Sequence, residues 1–490
     1  MIPRRQGEDS DAKALSRFGY AQELLRAMGG FSSFALSFSI ISVLTGIMTT
    51  YDVAIQNGGP AALGIGWPVV CAGTFLVALA MAELASAFPT AGAMYHWAAI
   101  LGGPGLGWFT SMMNLVGQLA IVAAIDLGCA EQAGAALGLP ATFIVPTFVV
   151  VLATQGVINF VSVRLVAWLN DFSAAVHVVG VVLLVSLLVG LGHVRPFAFA
   201  MQTGFTTRAD GSYALGFASS LLLGMWTFTG FDASAHVSEE THDPQRRAPW
   251  GILSAVGISA AAGYALVVAI TLAIRDLAAT ASDAHPALFV LRGALGEAWG
   301  SVAMGLAIVA MWFCGLSAVT SASRTLYAFA RDSELPGAKA LATVSVRHKT
   351  PHVAIIVSVG VALALGIASS QLTEDQFLAV ASLATTALYV SYALPIALGA
   401  IARHRGKWRR RGPWNLGRAS APIAWGAVAW SIAVVAAFGL PHEGAYVKLL
   451  AGVAAALAGI YVIFERGRFT GPRVHLDIAE RDVPPSDSAT

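Results

Sequence analysis

The sequence predicts an all-α polytopic membrane protein of about twelve transmembrane helices, with the first and sixth broken. Three observations predict it. Of 490 residues, 57% are hydrophobic and only 11% charged, where a soluble globular chain runs near ~25% charged. Apolar runs of about 20 residues, the length that crosses a bilayer as a helix, recur along the chain. Basic residues fall almost wholly into every second gap between those runs.

The first run, 31–52, includes IISVLTGIMTTYD at Ile40–Asp52, where Ser42, Thr45 and Gly46 interrupt apolar sequence. Runs at 62–88, 105–133, 141–161 and 165–191 follow. The sixth, 216–240, is interrupted by Thr227, Thr229, Gly230 and Asp232 and then meets His236, Ser238, Glu239 and Glu240. The remaining runs are 250–274, 298–329, 353–370, 376–401, 422–440 and 444–464. Backbone broken at membrane depth must be hydrogen-bonded within the protein or line a wet cavity. Paired breaks in two halves of a chain point to the binding site of a secondary transporter. Tight packing of small residues between helices is the competing explanation. Spans one to five (31–191) and six to ten (216–401) can be superposed with both breaks in register, leaving 422–464 outside the repeat. Residues 1–30 and 469–490 form polar tails, the second expected to be disordered.

Arg4, Arg5, Lys13, Arg17, Arg26, Arg164, Arg246, Arg247, Arg331, Lys339, Arg347 and Lys349 lie on one side of this topology. The run Arg403–Arg411, Arg418, Arg466, Arg468, Arg473 and Arg481 joins them, against only Arg195, Arg208, Arg275 and Arg292 opposite. By the positive-inside rule both termini are cytoplasmic, in a multi-pass protein of the cytoplasmic membrane. Topology alone accounts for Arg403–Arg411; a contact with anionic lipid is the alternative.

A net charge of +2 does not suggest a nucleic-acid partner. Cys71, Cys129 and Cys314 all sit in apolar runs and read as small buried hydrophobes, not a disulfide or metal set. No cofactor or metal is expected. No G-x4-G-K-[ST], H-E-x2-H or G-x-S-x-G occurs, which argues against ATP drive and common hydrolytic chemistry. The polar start, Met1–Arg26, lacks the pattern of a cleavable leader. A nutrient sensor on the same fold remains a competing class, and the short tails speak against it.

Several stretches carry a family resemblance: NGGPAALGIGW at Asn57–Trp67, AELASAFPTAGAMYHWA at Ala82–Ala98, TGFDASAHVSEETHDPQRRAPWGI at Thr229–Ile252 and SASRTLYAFARDSELP at Ser321–Pro336. Together they resemble the amino acid–polyamine–organocation superfamily, and its amino acid/choline transporter branch in particular, over about residues 30–400. The resemblance implies a LeuT-like fold, a five-plus-five inverted repeat with broken helices one and six plus two extra helices. It implies alternating access and import of a small amine-bearing solute. Carried over, Ser42, Val43, Leu44, Thr45 and Gly46, with Trp226, Thr227, Phe228, Thr229 and Gly230, surround that solute. Half-helix ends suit its two charged groups: free N–H groups for a carboxylate, free carbonyls for an ammonium. Gly46 and Gly230 would let it approach the backbone.

Other candidates keep two readings each. Asp232 is a counter-charge or proton-carrying group, or a helix cap. His177 falls where proton-coupled relatives carry a lysine and would couple proton binding to closure against span one, or is a neutral structural imidazole. Glu83 and Arg324 form an inner charge network with Glu239 or Glu240, or anchor helix ends. Asp126 and Glu131 form an outer rim or face water. Phe228 and Phe231 flank the break as gates or pack there. Trp312 lines the distal pocket, where a cation–π contact is open to it, with Asn114 and Gln118 as polar contacts. His96 is read as a loop residue without a role. The partners expected are an amino acid or related amine such as 4-aminobutyrate, protons and the lipid bilayer. Choline, polyamines and exchange stay open as alternatives.

Overall fold

The computed structural model describes residues 11, 15–16, 20–192, 194–332, 337–372, 375–440 and 444–472. Arg4, Arg5, Lys13, Arg17, Arg473, Arg481, the end of the SASR stretch at 333–336 and the tail beyond 472 lie outside these residues. Among the described residues the regular structure is helical, save one isolated bridge between Met28 and Thr241.

The helices, in chain order, begin with α1 (Gly30–Ile41), α2 (Val43–Ala61), α3 (Trp67–Ala87), α4 (Met94–Gly102) and α5 (Pro104–Leu137). Then come α6 (Ile144–Val161), α7 (Val163–Leu191), α8 (Tyr213–Ser220), α9 (Leu222–Thr227) and α10 (Ala233–His236). Next are α11 (Pro244–Leu272), α12 (Leu277–Ser282), α13 (Pro286–Leu295), α14 (Glu297–Asp332) and α15 (Ala338–Leu341). The last are α16 (His352–Leu372), α17 (Gln376–His404), α18 (Ser420–Ala437) and α19 (Ala445–Ile460).

Among the described residues, 10 helical stretches are long and apolar enough to cross a membrane. One, Gly30–Ala87, covers both of the first two expected spans. The sixth expected span is not among the ten, because its apolar helix stops at Thr227. Val150, Val157, Trp168, Val302 and Ile432 are each more than 60% exposed. Such a belt would be a liability in water; hydrocarbon is its natural solvent. Inside the belt, α5 packs on both α14 and α17, while α11 packs on α1 and α3.

Two local departures shape the centre. Ser42 holds φ 31° and ψ 82°, a left-handed geometry that ends α1. Few side chains tolerate it; here the Ser42 hydroxyl accepts from Thr45 N at 3.2 Å and so caps the start of α2. The first break therefore falls at Ser42, three residues before Thr45, and the Thr45-Gly46 pair that the sequence suggests lies in the first turn of α2. In the second break, Gly230 has φ 77°. Thr227 and Thr229 turn their hydroxyls back on Leu223 O and Trp226 O, at 2.7 and 2.8 Å; Trp226 O is a carbonyl the ended helix leaves open.

Both tails correct the expectation where they are described. Tyr20, Leu24 and Met28 are buried, and Met28 N donates to Glu240 O at 3.0 Å. Phe469 is buried against Tyr95 and Phe329.

Candidate functional site

The two breaks lie against each other. A Cβ on Gly46 would collide with the Thr227 side chain, and one on Gly230 with Ile40. The glycines thus seat one break on the other, as the packing explanation holds, and neither opens directly to a solute here. Between the breaks is a cavity of about 10 Å³ lined by Thr45, Gly46, Trp226, Thr227, Thr229 and Cys314 with Ile40, Ile41, Ile121 and Ile125. That is room for about one water, so the site is closed. Cys314 Sγ lies 3.1 Å from Ile40 O, the carbonyl exposed just before the break.

The other expected lining residues point elsewhere. Ser42 faces α7. Val43 and Leu44 lie beside Gly263 and Gly180. Phe228 packs on Trp67, with ring centroids 5.2 Å apart, and Phe231 packs on Tyr392, also at 5.2 Å. Asn114 donates to Ser391 Oγ at 3.1 Å. Trp312 is a correction: its indole donates to Thr154 Oγ1 at 3.0 Å, turned to α6 and away from this cavity.

His177 reaches the first break. It is fully buried on α7, and its Nε2 lies 2.8 Å from Ser42 Oγ. Its Nδ1 lies 2.8 Å from Ser173 O. A carbonyl only accepts, so Nδ1 carries the proton and Nε2 accepts from the Ser42 hydroxyl. Ser42 Oγ in turn lies 2.6 Å from Thr45 Oγ1. A second proton on the ring would reverse this chain of hydroxyls, since Nε2 would then donate to Ser42.

Asp232 lies beside the second break and is fully buried. It caps no helix: no side-chain bond to the start of α10 exists. Its carboxylate instead accepts from Tyr392 Oη at 2.7 Å, from Gln118 Nε2 at 3.0 Å and from His236 Nε2 at 3.0 Å. His236 Nδ1 faces both Thr325 Oγ1 at 3.0 Å and Ala91 O at 3.2 Å. The ring is neutral if Nδ1 accepts from Thr325 and cationic if it donates to Ala91. Asp232 and His236 are therefore a buried pair with two workable proton counts.

The end of the bundle where α1 begins is closed by ion pairs. Arg324 Nε donates to Glu240 Oε1 at 2.8 Å, both side chains fully buried. Arg331 grips Glu239 with two bonds, at 2.8 and 2.9 Å. Its guanidinium also lies 3.9 Å from the centre of the Tyr20 ring. Tyr20 Oη donates to Asp332 at 2.5 Å and lies 3.0 Å from His96 Nε2. Burial and the Asp332 carboxylate push the Tyr20 phenol far above its ordinary value of 10, so it stays a donor. Glu83 stands apart: it pairs with Arg403 at 2.7 Å and accepts from Ser420 at 2.6 Å. One network was expected, and two are found, because Glu83 on α3 faces α17 and α18 instead.

Sequence reasoning missed several of these residues. Tyr392 and Arg331 complete the clusters through contacts distant in sequence, whereas His236 stands one helical turn from Asp232, a spacing the sequence displays. His96, expected in a loop without a role, lies on α4, buried between Tyr20, Thr90 and Asp332. Asp126, expected at a rim, is fully buried and accepts from Gln155 Nε2 at 2.9 Å.

Comparison with known proteins follows the same lines. The family model for amino acid permeases matches residues 28–463. The "Amino-acid permease BAT1 homolog" of Oryza sativa subsp. japonica is 34% identical, covering 96% of this chain and 97% of its own. The "Amino-acid permease BAT1" of Arabidopsis thaliana is 33% identical over 95% of this chain and 96% of its own. The "GABA-specific permease" of Saccharomyces cerevisiae is 27% identical over 95% and 86%.

Proposed function

We propose, from the premise that the chain belongs to the amino acid permease family, a family of transporters and not enzymes, that it is a proton-coupled importer of an amino acid or a related amine such as 4-aminobutyrate. The observation that carries this reading is the pair of breaks in contact around a closed cavity, each bordered by a buried titratable group. The solute sits between Thr45-Gly46 and Trp226–Gly230 once the breaks part. Its ammonium is offered the carbonyls around the breaks and, through the protein, the negative charge of Asp232.

Twelve crossings follow if Gly30–Ala87 is crossed twice and Tyr213–Glu240 once, added to the other nine stretches. At ~1.5 Å per residue, the 58 residues of the first stretch far exceed the ~30 Å of hydrocarbon. Residues 31–191 and 216–401 then form the two inverted repeats, with 422–464 outside them. The excess of arginine on one side supports a cytoplasmic location for both termini, with the Arg324–Glu240 and Arg331–Glu239 pairs at the cytoplasmic end of the bundle.

The cycle runs on differential affinity of proton and solute for the outward-open and inward-open states of the protein. Protonation at His177 reverses its bond with Ser42, and protonation at Asp232–His236 removes one negative charge beside the second break. Either event changes the cost of parting the breaks. Solute leaves inward when the Arg324–Glu240 and Arg331–Glu239 pairs and the strap at residues 20–29 give way.

Uptake by the purified chain in liposomes tests the reading. An inward proton gradient should drive accumulation of at least one amino acid, 4-aminobutyrate among those tried, and a protonophore should abolish it. Binding without accumulation would make the chain a sensor instead.

A further inference from the structure

A second cavity, at the opposite end of the bundle from the ion pairs, has no part in the account above. It measures about 90 Å³. Asp52 on α2, Glu131 and Gln132 on α5, His285 before α13 and Asp375 before α17 line it. Asp52 lies ten residues past Ser42, ~15 Å further along the helix axis. Neither Lys nor Arg is among the described lining residues. Gln132 is only 7% exposed, and its Oε1 has no hydrogen-bond partner among the described residues. A buried acceptor left so is costly unless a donor arrives.

One aromatic contact separates this cavity from the break-lined one. Trp226 lines the inner cavity and Phe377 the outer, and their rings meet edge to face with centroids 5.6 Å apart. Thr49, on the wall of the outer cavity, accepts from Trp226 Nε1 at 3.3 Å.

We propose that the outer cavity is an antechamber that holds the ammonium group of an amine-bearing solute before it passes Trp226. This rests on the transporter reading. The wall offers carboxylates and an amide oxygen, all acceptors, and an ammonium brings three donors and the opposite charge. Three carboxylates around one small space repel one another, and a cation relieves that repulsion. Burial holds His285 below its ordinary value, so near pH 7 it is neutral and does not offset the carboxylates. A solute bearing only a carboxylate is turned away.

Calorimetric titration of the full-length protein in nanodiscs, with n-butylammonium and with butyrate as probes, tests the site. Butylammonium should bind the wild type, and butyrate should not. The pair D52N/E131Q should weaken butylammonium binding on the order of tenfold. D375N, where asparagine keeps the cap on Leu378 N, should weaken it about threefold and serves if the double variant fails to fold. Equal binding by wild type and variants, or no binding by the wild type, overturns the proposal. Amino acid uptake is measured on the same protein. Uptake without butylammonium binding removes the antechamber alone. Butylammonium binding that the variants lose, without uptake of any amino acid, leaves a cation site and removes the transporter reading.

Discussion

His177 Nε2 and Ser42 Oγ, 2.8 Å apart, join α7 to the one residue at which α1 gives way to α2. A buried imidazole thus touches the hinge of the first break directly. His177→Ala should lower proton-driven uptake by tenfold or more and flatten its dependence on external pH. The change removes two buried hydrogen bonds, to Ser42 and to Ser173 O, at about 1–3 kcal/mol each, so thermal unfolding is measured beside uptake to show that the variant is folded. Full uptake with an unchanged pH profile would show that the imidazole is structural.

Asp232→Asn tests the second break. An amide cannot accept on both arms, so one of Gln118, Tyr392 and His236 loses its partner. Uptake should fall at least tenfold, and the remainder should lose its response to an imposed proton gradient. Wild-type accumulation by this variant would remove Asp232–His236 from proton coupling.

Much of this layout is legible in the sequence, because hydrocarbon imposes a simple rule. Runs of about 20 apolar residues must be helices, and polar residues inside them must have a reason to be there. Asp232, Arg324 and His177 stand out by that rule. What stays hidden is which buried group meets which. Tyr392 reaches Asp232 across 160 positions and Arg403 reaches Glu83 across 320, and no local pattern encodes either pairing. The step from Thr45-Gly46 to Ser42 has a similar cause. Glycine is the habitual marker of a left-handed turn, but here a serine takes that geometry and caps the following helix with its own hydroxyl.

Arg324 and Glu240 form a fully buried pair. Arg324→Met should destabilise the protein by about 3–5 kcal/mol, since it strands a buried carboxylate. Adding Glu240→Gln should restore most of that loss, which thermal unfolding in detergent would reveal. A double variant as unstable as the single one would mean the two side chains do not act as a pair.

Tyr20→Phe should loosen the strap at residues 20–29 while leaving the Arg331 stacking in place. Amide exchange at Leu24–Met28 should quicken severalfold. The phenol of a folded Tyr20 keeps its proton well above the ordinary tyrosine value of 10. Its contribution is therefore constant below that pH and declines above it, as the unfolded chain begins to ionise. A strap that loosens between pH 6 and 9 in the wild type would need another titrating group.

Gly46→Ala drives a methyl into Thr227. It should cut uptake by tenfold or more, and Thr227→Gly in the same chain should recover part of it. Unimpaired uptake by Gly46→Ala alone would show that the breaks do not need this contact.

The most direct test is a density map of the protein in nanodiscs with its transported amino acid bound. Density for the solute between Thr45-Gly46 and Trp226–Gly230, with both helices still interrupted, is the predicted result. A solute lodged elsewhere, or breaks that straighten into continuous helices around an empty centre, would contradict the account.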